Sequence, residues 1–356
     1  MSRVARAVAE VKHRGLDAFV ISAPSNIRYL SGFSGSSGTM VLRNDAAMLL
    51  TDGRYTERAR DEIDAADADV EIVRVSGNGR AELLRLLDGA SRVGIEADHT
   101  SWSAASSLGE DLGGDTLVAT IGLVEAFREI KDDVELGLMR RAAEFADRAL
   151  AQLLTEFVPG VSERDVARRL DALVLDAGAD GSGFDTIVGS GPNSSRPHHQ
   201  STNRTIEMGD LVIIDFGAEC SGYRSDMTRT FVFGEPSARQ RELLDAVHDA
   251  QAAGVAAVGV GVAAQTIDAA CRSHLSAAGL AEWFTHGTGH GVGLDIHEAP
   301  SVSAKGTATL AAGHVITVEP GVYLPEFGGV RWEDTVVVTS TGADPLTRSP
   351  KQPVII

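Results

Sequence analysis

The segment MGDLVIIDFG (208–217) returns about one hundred residues later as AGHVITVEPG (312–321), with a glycine, an apolar run, an acid and a second glycine in matching places. That alignment lays Asp215 on Glu319. Further along, YRSDMTRTFVF (223–233) returns as VRWEDTVVVTS (330–340), laying Arg224 on Arg331, Asp226 on Glu333 and Thr228 on Thr335. Upstream, PGVSERDVARRL from Pro159 resembles VGVAAQTIDAAC from Val260. Each reads as the opening of a helix, the first with a capping signal at Ser162. Two copies are too few for a solenoid. The repeat instead constrains this part of the chain to two similar halves closing face to face, with a site on the pseudo-twofold axis.

The acids say what such a site would hold. In LVIIDFGAECSGYRSDMTRTFVF two apolar runs flank a turn at ECSGY, a hairpin pattern in which Asp215 ends one run and Asp226 opens the return. An acid after VII stands where a core residue is expected, and burying an unpartnered carboxylate is expensive. Glu319 in HVITVEPGVY and Glu333 in GVRWEDTVVVT pose the same problem. Two divalent ions would balance four carboxylates. Arg224 and Arg331, each two residues ahead of an acid on the same strand face, could neutralise at most two, so they are expected to orient the ligands. An oxygen-rich set with one nitrogen suits Mn²⁺, Co²⁺, Fe²⁺ or Zn²⁺, and two ions suit hydrolysis by a shared hydroxide attacking a carbonyl.

At 356 residues the chain has room for two domains. The first part alternates strand patterns (FVIS, TMVLR, AMLLTD, VEIVRV, RVGIEA) with helical runs such as YTERARDEI and GRAELLRLL. The texture then changes to one long amphipathic helix over AFREIKDDVELGLMRRAAEFADRALAQLL. The expected division is 1–127 and 128–356. Lys plus Arg number 32 against 50 acids, a net charge of -18, which argues against a nucleic-acid partner. Cys220 and Cys271 are expected as inert thiols of a cytoplasmic protein. MSRVARAVAEVKHRG reads as a charged helix rather than a signal peptide, and AAGVAAVGVGVAA is too short to span a membrane, so no membrane partner is expected.

HGTGHGVGLDIHEAP (286–300) carries three histidines and four glycines. Its glycine spacing is not GxGxxG, and HEAPS is not HExxH. The glycines read as letting the backbone pass close to a metal and a bound peptide.

The order Asp215, Asp226, His290, Glu319, Glu333, in the contexts DFG, SDMTRT, HGTGHGVGLDIHE, VEPGVY and VRWEDT, resembles the M24 metallopeptidases, the prolidase and aminopeptidase P proteins of the pita-bread fold. The match covers residues 130–356, and NIRYLSGFSG and LLTDGRY resemble the N-terminal domain of prolidase, aminopeptidase P and creatinase. The resemblance implies an α/β two-domain protein: an α/β creatinase-like domain, then a pita-bread α+β catalytic domain with an internal pseudo-twofold repeat. It implies two divalent ions, most often Mn²⁺, one held by Asp215, Asp226 and Glu333, the other by Asp226, His290, Glu319 and Glu333.

The resemblance further implies catalytic roles for Glu319 as proton acceptor and shuttle, for His198 as a contact to the peptide and the tetrahedral intermediate, and for His297 near the scissile carbonyl or the substrate proline. His286 would line the substrate pocket and Arg331 would stand beside the last ligand; His199 is left as a bystander. Trp283, Phe284 or Tyr323 are candidates for an apolar wall around a substrate proline. The activity implied is hydrolysis of Xaa-Pro bonds in dipeptides or short peptides by a homodimer, with Arg54 and Tyr55 near the partner's site. Methionine aminopeptidases usually lack this N-terminal domain, and creatinase lacks these ligands. A prolidase-like enzyme leads. Ser301 and Ser303 follow HEAP where many prolidase-like members carry an arginine for the dipeptide's carboxylate, which keeps aminopeptidase P as the alternative. A silent pita-bread binding protein is the reading from another class.

Overall fold

The computed structural model describes residues 1–43 and 45–355. It divides into two compact units, Met1–Arg128 and Glu129–Ile356. In the first, strands β1 (Ala18–Ile21), β2 (Thr39–Arg43), β3 (Ala46–Asp52), β4 (Glu71–Val75), β5 (Val93–Glu96) and β6 (Leu117–Thr120) form one mixed sheet, ordered β4-β3-β2-β1-β5-β6. β1 lies inside the sheet and is buried along its whole length, which is why AFVI is a continuous apolar run. The helices are α1 (Arg3–His13), α2 (Pro24–Ser31), α3 (Thr56–Ala65), α4 (Arg80–Leu87), α5 (Trp102–Leu112) and the short α6 (Glu125–Arg128). The five strands expected from alternation are present; β6, α2 and α5 are additions.

The expected long helix is broken. α6 ends at Arg128 and α7 (Asp133–Glu156) starts afresh behind Asp132, whose side chain accepts from the amides of Val134 and Glu135 in a capping box. The acids in KDDVE that looked like a charged helix edge therefore form a helix start. Between the helices, Ile130 makes an antiparallel bridge to His314.

The second unit is the repeat made visible. The remaining elements are α8 (Glu163–Asp176), β7 (Gly181–Ser182), β8 (Ile187–Ser190), β9 (Leu211–Phe216), β10 (Ala218–Cys220), β11 (Tyr223–Arg224), β12 (Met227–Phe233), α9 (Ala238–Ala256), α10 (Ala264–Ala277), β13 (Gly289–Gly291), β14 (Glu298–Val302), β15 (Val315–Val318), β16 (Gly321–Leu324), β17 (Gly328–Arg331), β18 (Asp334–Thr339) and β19 (Gly342–Pro345). Of its two main sheets, one carries β20-β12-β9-β8, with β20 the edge strand Val354–Ile355, and the other carries β14-β13-β15-β18-β19. Helices α7 and α8 bury Leu150, Leu170 and Val174 against Val212, Ile214 and Phe231 of the first sheet. Helices α9 and α10 bury Val247 and Ile267 against Ile316 and Val336 of the second. Leu211 and Val232, on the opposite face of the first sheet, join that second core, so the two halves pack through their sheets. This is the pita-bread arrangement that the sequence leads one to expect.

Pairing differs between the copies. Thr228 lies opposite Asp215, whereas Thr335 lies opposite Thr317, two residues short of Glu319. A shift of two preserves which side chains share a face. The turn in ECSGY is a two-residue hairpin with Ser221 and Gly222 both at positive φ, 48° and 83°. Among the described residues, no helix is long and apolar enough to cross a membrane.

Candidate metal centre

The repeat brings its acids together where the halves meet. Of the four, only Asp215 lies within a strand, near the end of β9; Asp226 and Glu333 stand one residue ahead of β12 and β18, and Glu319 one residue past β15. Such strand ends leave a carboxylate free to face the axis while its neighbours remain in the core. The halves are stitched reciprocally. Thr228 donates to Glu333 (2.7 Å) while Thr335 donates to the Asp226 carbonyl (2.8 Å).

Asp215, Asp226, His290, Glu319, Glu333, His198, His286, His297 and Arg331 all line one cavity of about 320 Å³. Ligand atoms of Asp226, His290 and Glu333 lie within 4.8 Å of one another. His290 Nε2 is 3.3 Å from Glu319 Oε1 and 3.7 Å from Asp226 Oδ2, while its Nδ1 lies 3.0 Å from the Gly291 carbonyl. The His297 ring packs edge-on against His290 at 4.3 Å.

Arg331 is buried and spread over the cluster: its Nη2 donates to Asp215 (2.7 Å), its Nε to Thr228 (2.9 Å) and its Nη1 to the Tyr323 hydroxyl (2.8 Å). Arg224, expected to do the same in the other half, does not. It lies on β11 with its Nε 4.0 Å from Glu219, and its backbone amide is bound to Gly293. The pseudo-symmetry of the acids is therefore not matched by the arginines.

Charge in the cluster is out of balance. Burial, then repulsion from Asp215, pushes the Asp226 carboxyl well above the usual range; burial, then repulsion from Asp226, does the same to Glu333. Asp215 is raised too, by burial against the opposing pull of Arg331. Glu319 goes the other way: burial would raise it, but the hydrogen bond and charge of His290 hold it at about 2. His290 is correspondingly raised to about 9 by Glu319 despite its burial. Burial lowers His286 and, with help from His290, His297, so both imidazoles stay neutral at pH 7.

Asp215 Oδ1 is buried and has no hydrogen-bond partner among the described residues. An orphaned carboxylate oxygen, several acids pushed toward protonation by one another, and an imidazole nitrogen aimed at two of them form a donor set suited to divalent cations.

Three local readings are corrected. The glycines of the 286–300 loop do not clear room for a ligand alone. A side chain at Gly289 would meet the Thr317 carbonyl at 2.1 Å, and one at Gly291 the Ala299 carbonyl at 2.1 Å. They are required by neighbouring strands. The apolar wall is not Trp283, Phe284 or Tyr323, none of which lines the cavity; Phe184, Ile187 and Ile296 do. Phe284 packs behind His286 instead, at 5.0 Å, and Tyr323 bonds through its hydroxyl to His286 Nε2 (2.8 Å). His199 is no bystander: it is buried with Nε2 2.9 Å from Glu163. The role of Glu163, and that of the Tyr323 hydroxyl beyond an apolar wall, do not show in the sequence because their partners lie far along the chain, although an acid directly after the Ser162 cap is a usable signal.

The profile of metallopeptidase family M24 matches residues 137–340, and that of the creatinase/prolidase N-terminal domain matches residues 3–130. An Xaa-Pro dipeptidase of Pyrococcus furiosus is 34% identical over 98% of this chain and 99% of its own. The structure of an Xaa-Pro dipeptidase from Bacillus anthracis superimposes with a TM-score of 0.95 at 37% identity, covering 99% of both chains. That of an X-Pro aminopeptidase from Thermotoga maritima gives 0.91 at 31% identity and covers 100% of both.

Proposed function

The chain belongs to metallopeptidase family M24, with a creatinase/prolidase domain preceding the catalytic one, and from that premise we propose that it hydrolyses Xaa-Pro bonds of short peptides at a dinuclear metal centre. The observation that carries this is the convergence of all five ligand candidates, both substrate-facing histidines and Arg331 on a single cavity. We assign residues 1–127 to the N-terminal domain and 128–356 to the catalytic domain. Cytoplasmic residence fits the two buried free thiols.

Asp215, Asp226 and Glu333 would hold one ion, and Asp226, His290, Glu319 and Glu333 the other, with Mn²⁺ our choice. When bound, the ions supply Lewis-acid polarisation of the scissile carbonyl and a water acidic enough to ionise near neutral pH. Glu319 is unprotonated at neutral pH and serves as the acceptor for the proton that the attacking water releases. It passes that proton to the proline nitrogen, which carries no hydrogen in the peptide and needs one to leave. His297, with its imidazole neutral, and His198 donate to the oxyanion that develops on the carbonyl. His286, tied to Tyr323, shapes the pocket, and Arg331 fixes Asp215 in its orientation. Phe184, Ile187 and Ile296 offer the proline ring its apolar surface.

A prolidase-like dipeptidase is the first reading. One observation favours the aminopeptidase P reading beside it: Ser301 and Ser303 line the cavity, and among its described lining residues Arg331, already committed to Asp215, Thr228 and Tyr323, is the sole Lys or Arg. A free carboxylate on the proline has no dedicated cation to meet. The deciding experiment loads the protein with Mn²⁺ or Co²⁺ and compares an Xaa-Pro dipeptide with an Xaa-Pro-Yaa tripeptide, with and without chelator. Turnover that the chelator abolishes is expected, and the ratio ranks the two substrates. No turnover of either, with metal bound, would sink the proposal.

A further inference from the structure

Glu163 is the first residue of α8, behind the Ser162 cap, and it is fully buried. A carboxylate there gains from the helix dipole, but its partners lie elsewhere. One oxygen accepts from the Ser190 amide (2.8 Å), the Ser190 hydroxyl (2.8 Å) and Asn193 Nδ2 (3.0 Å). The other accepts from the Thr202 amide (3.0 Å) and hydroxyl (2.7 Å) and pairs with His199 Nε2. All of these belong to the segment 190–202, which leaves β8, turns through residues 191–195 and carries His198 to the cavity.

The far side of that segment is fixed as well. Ser194 Oγ accepts from the Gly329 amide (2.8 Å) on β17, and Arg331 Nη1 reaches the Pro197 carbonyl at 3.4 Å. A side chain at Gly329 would strike the Ser194 carbonyl at 2.2 Å, so this packing leaves no slack. Among the described residues the His198 ring makes no hydrogen bond of its own, and it is exposed to the cavity. Its direction is set by the backbone beneath it. His199, its neighbour, points the other way into the carboxylate.

We propose that Glu163 is a positioning residue for the hydrolysis: by clamping the segment 190–202 against β17 it holds the His198 imidazole toward the substrate carbonyl. This rests on the reading of His198 as a substrate contact. The competing role is a purely structural one, a saturated helix-start carboxylate whose loss weakens the fold and nothing more.

A double-mutant cycle on the metal-loaded enzyme separates the two. Glu163→Gln, His198→Ala and the double variant are assayed for kcat and KM on the better Xaa-Pro substrate, with metal content measured in parallel. Expected is a fall in kcat for Glu163→Gln of about 10- to 100-fold, as for other residues that orient a functional group. KM and metal content stay near those of the parent, and in the His198→Ala background Glu163→Gln costs less than about twofold more. Equal losses in both backgrounds, or no loss in Glu163→Gln while His198→Ala is slow, overturn the positioning role and leave His198 standing. A His198→Ala enzyme as fast as the parent overturns the reading of His198 and this proposal with it. Should Glu163→Gln not fold, Thr202→Val removes one donor with the carboxylate kept. Its several-fold loss must vanish in the His198→Ala background, and persistence there overturns the proposal.

Discussion

Buried carboxylates range from poorly supplied with donors to saturated with them, and this chain contains both extremes. Asp226 and Glu333 have few donors, crowd one another and are pushed toward protonation; Glu163 is saturated, and although burial alone would raise it, Thr202 and His199 hold it at about 2. The second kind has a consequence for acid stability. A group whose folded pKa lies below its ordinary 4.5 stabilises the fold above that value and loses the contribution as pH falls toward 2. Urea unfolding measured at steps from pH 6 down to pH 3 should therefore show the parent losing stability more steeply than Glu163→Gln below about pH 4.5. Parallel curves would deny Glu163 the depressed pKa. His198 was legible from its local context, SGPNSSRPHH. His199 was not, because its meaning depends on an acid 36 residues earlier that only the fold brings beside it.

Strand β13 shows how an element can dictate residue type through its neighbours. Gly289 and Gly291 sit where adjacent backbones leave no room for a methyl group. Gly289→Ala should destabilise by about 1–3 kcal/mol or more, the range for forcing atoms into packed space. Gly137, exposed in α7 with nothing near its would-be side chain, is the control: Ala there should gain up to about 1 kcal/mol. Equal effects in urea unfolding would refute the steric account. The same contrast explains what could be read in advance. β1 and β2 announce themselves as apolar runs, and the acid pairs Asp215/Asp226 and Glu319/Glu333 as a repeat. Helix α5, WSAASSLGEDL, buries Leu108 alone and so has no apolar stripe to detect. The break before Asp133 was hidden because a capping box and a charged helical face use the same letters.

For the whole molecule, the proposed ligands straddle the two halves of the catalytic unit, so ion binding would be coupled to the folding of both. Elemental analysis of the loaded protein should find two divalent ions per chain. Free Mn²⁺ at about 100 times its Kd should raise stability by about 2.7 kcal/mol for each site filled, seen as a higher Tm that excess chelator reverses. An unchanged Tm with metal bound would mean that the ions do not prefer the folded centre over the unfolded chain. The homodimer expected from the family is checked separately by light scattering, at twice the chain mass.

The stitching of Thr228 to Glu333 and of Thr335 to the Asp226 carbonyl bears on how the molecule is made. During synthesis Asp215 and Asp226 leave the ribosome more than sixty residues before His290, and Glu333 follows last of the five. A chain that ends before residue 286 would carry Asp215 and Asp226 but none of His290, Glu319 and Glu333. On the proposed ligand set, peptide-cutting capacity would arrive only with the segment that locks the halves together, and an aborted product would be inert rather than an unguarded hydrolase.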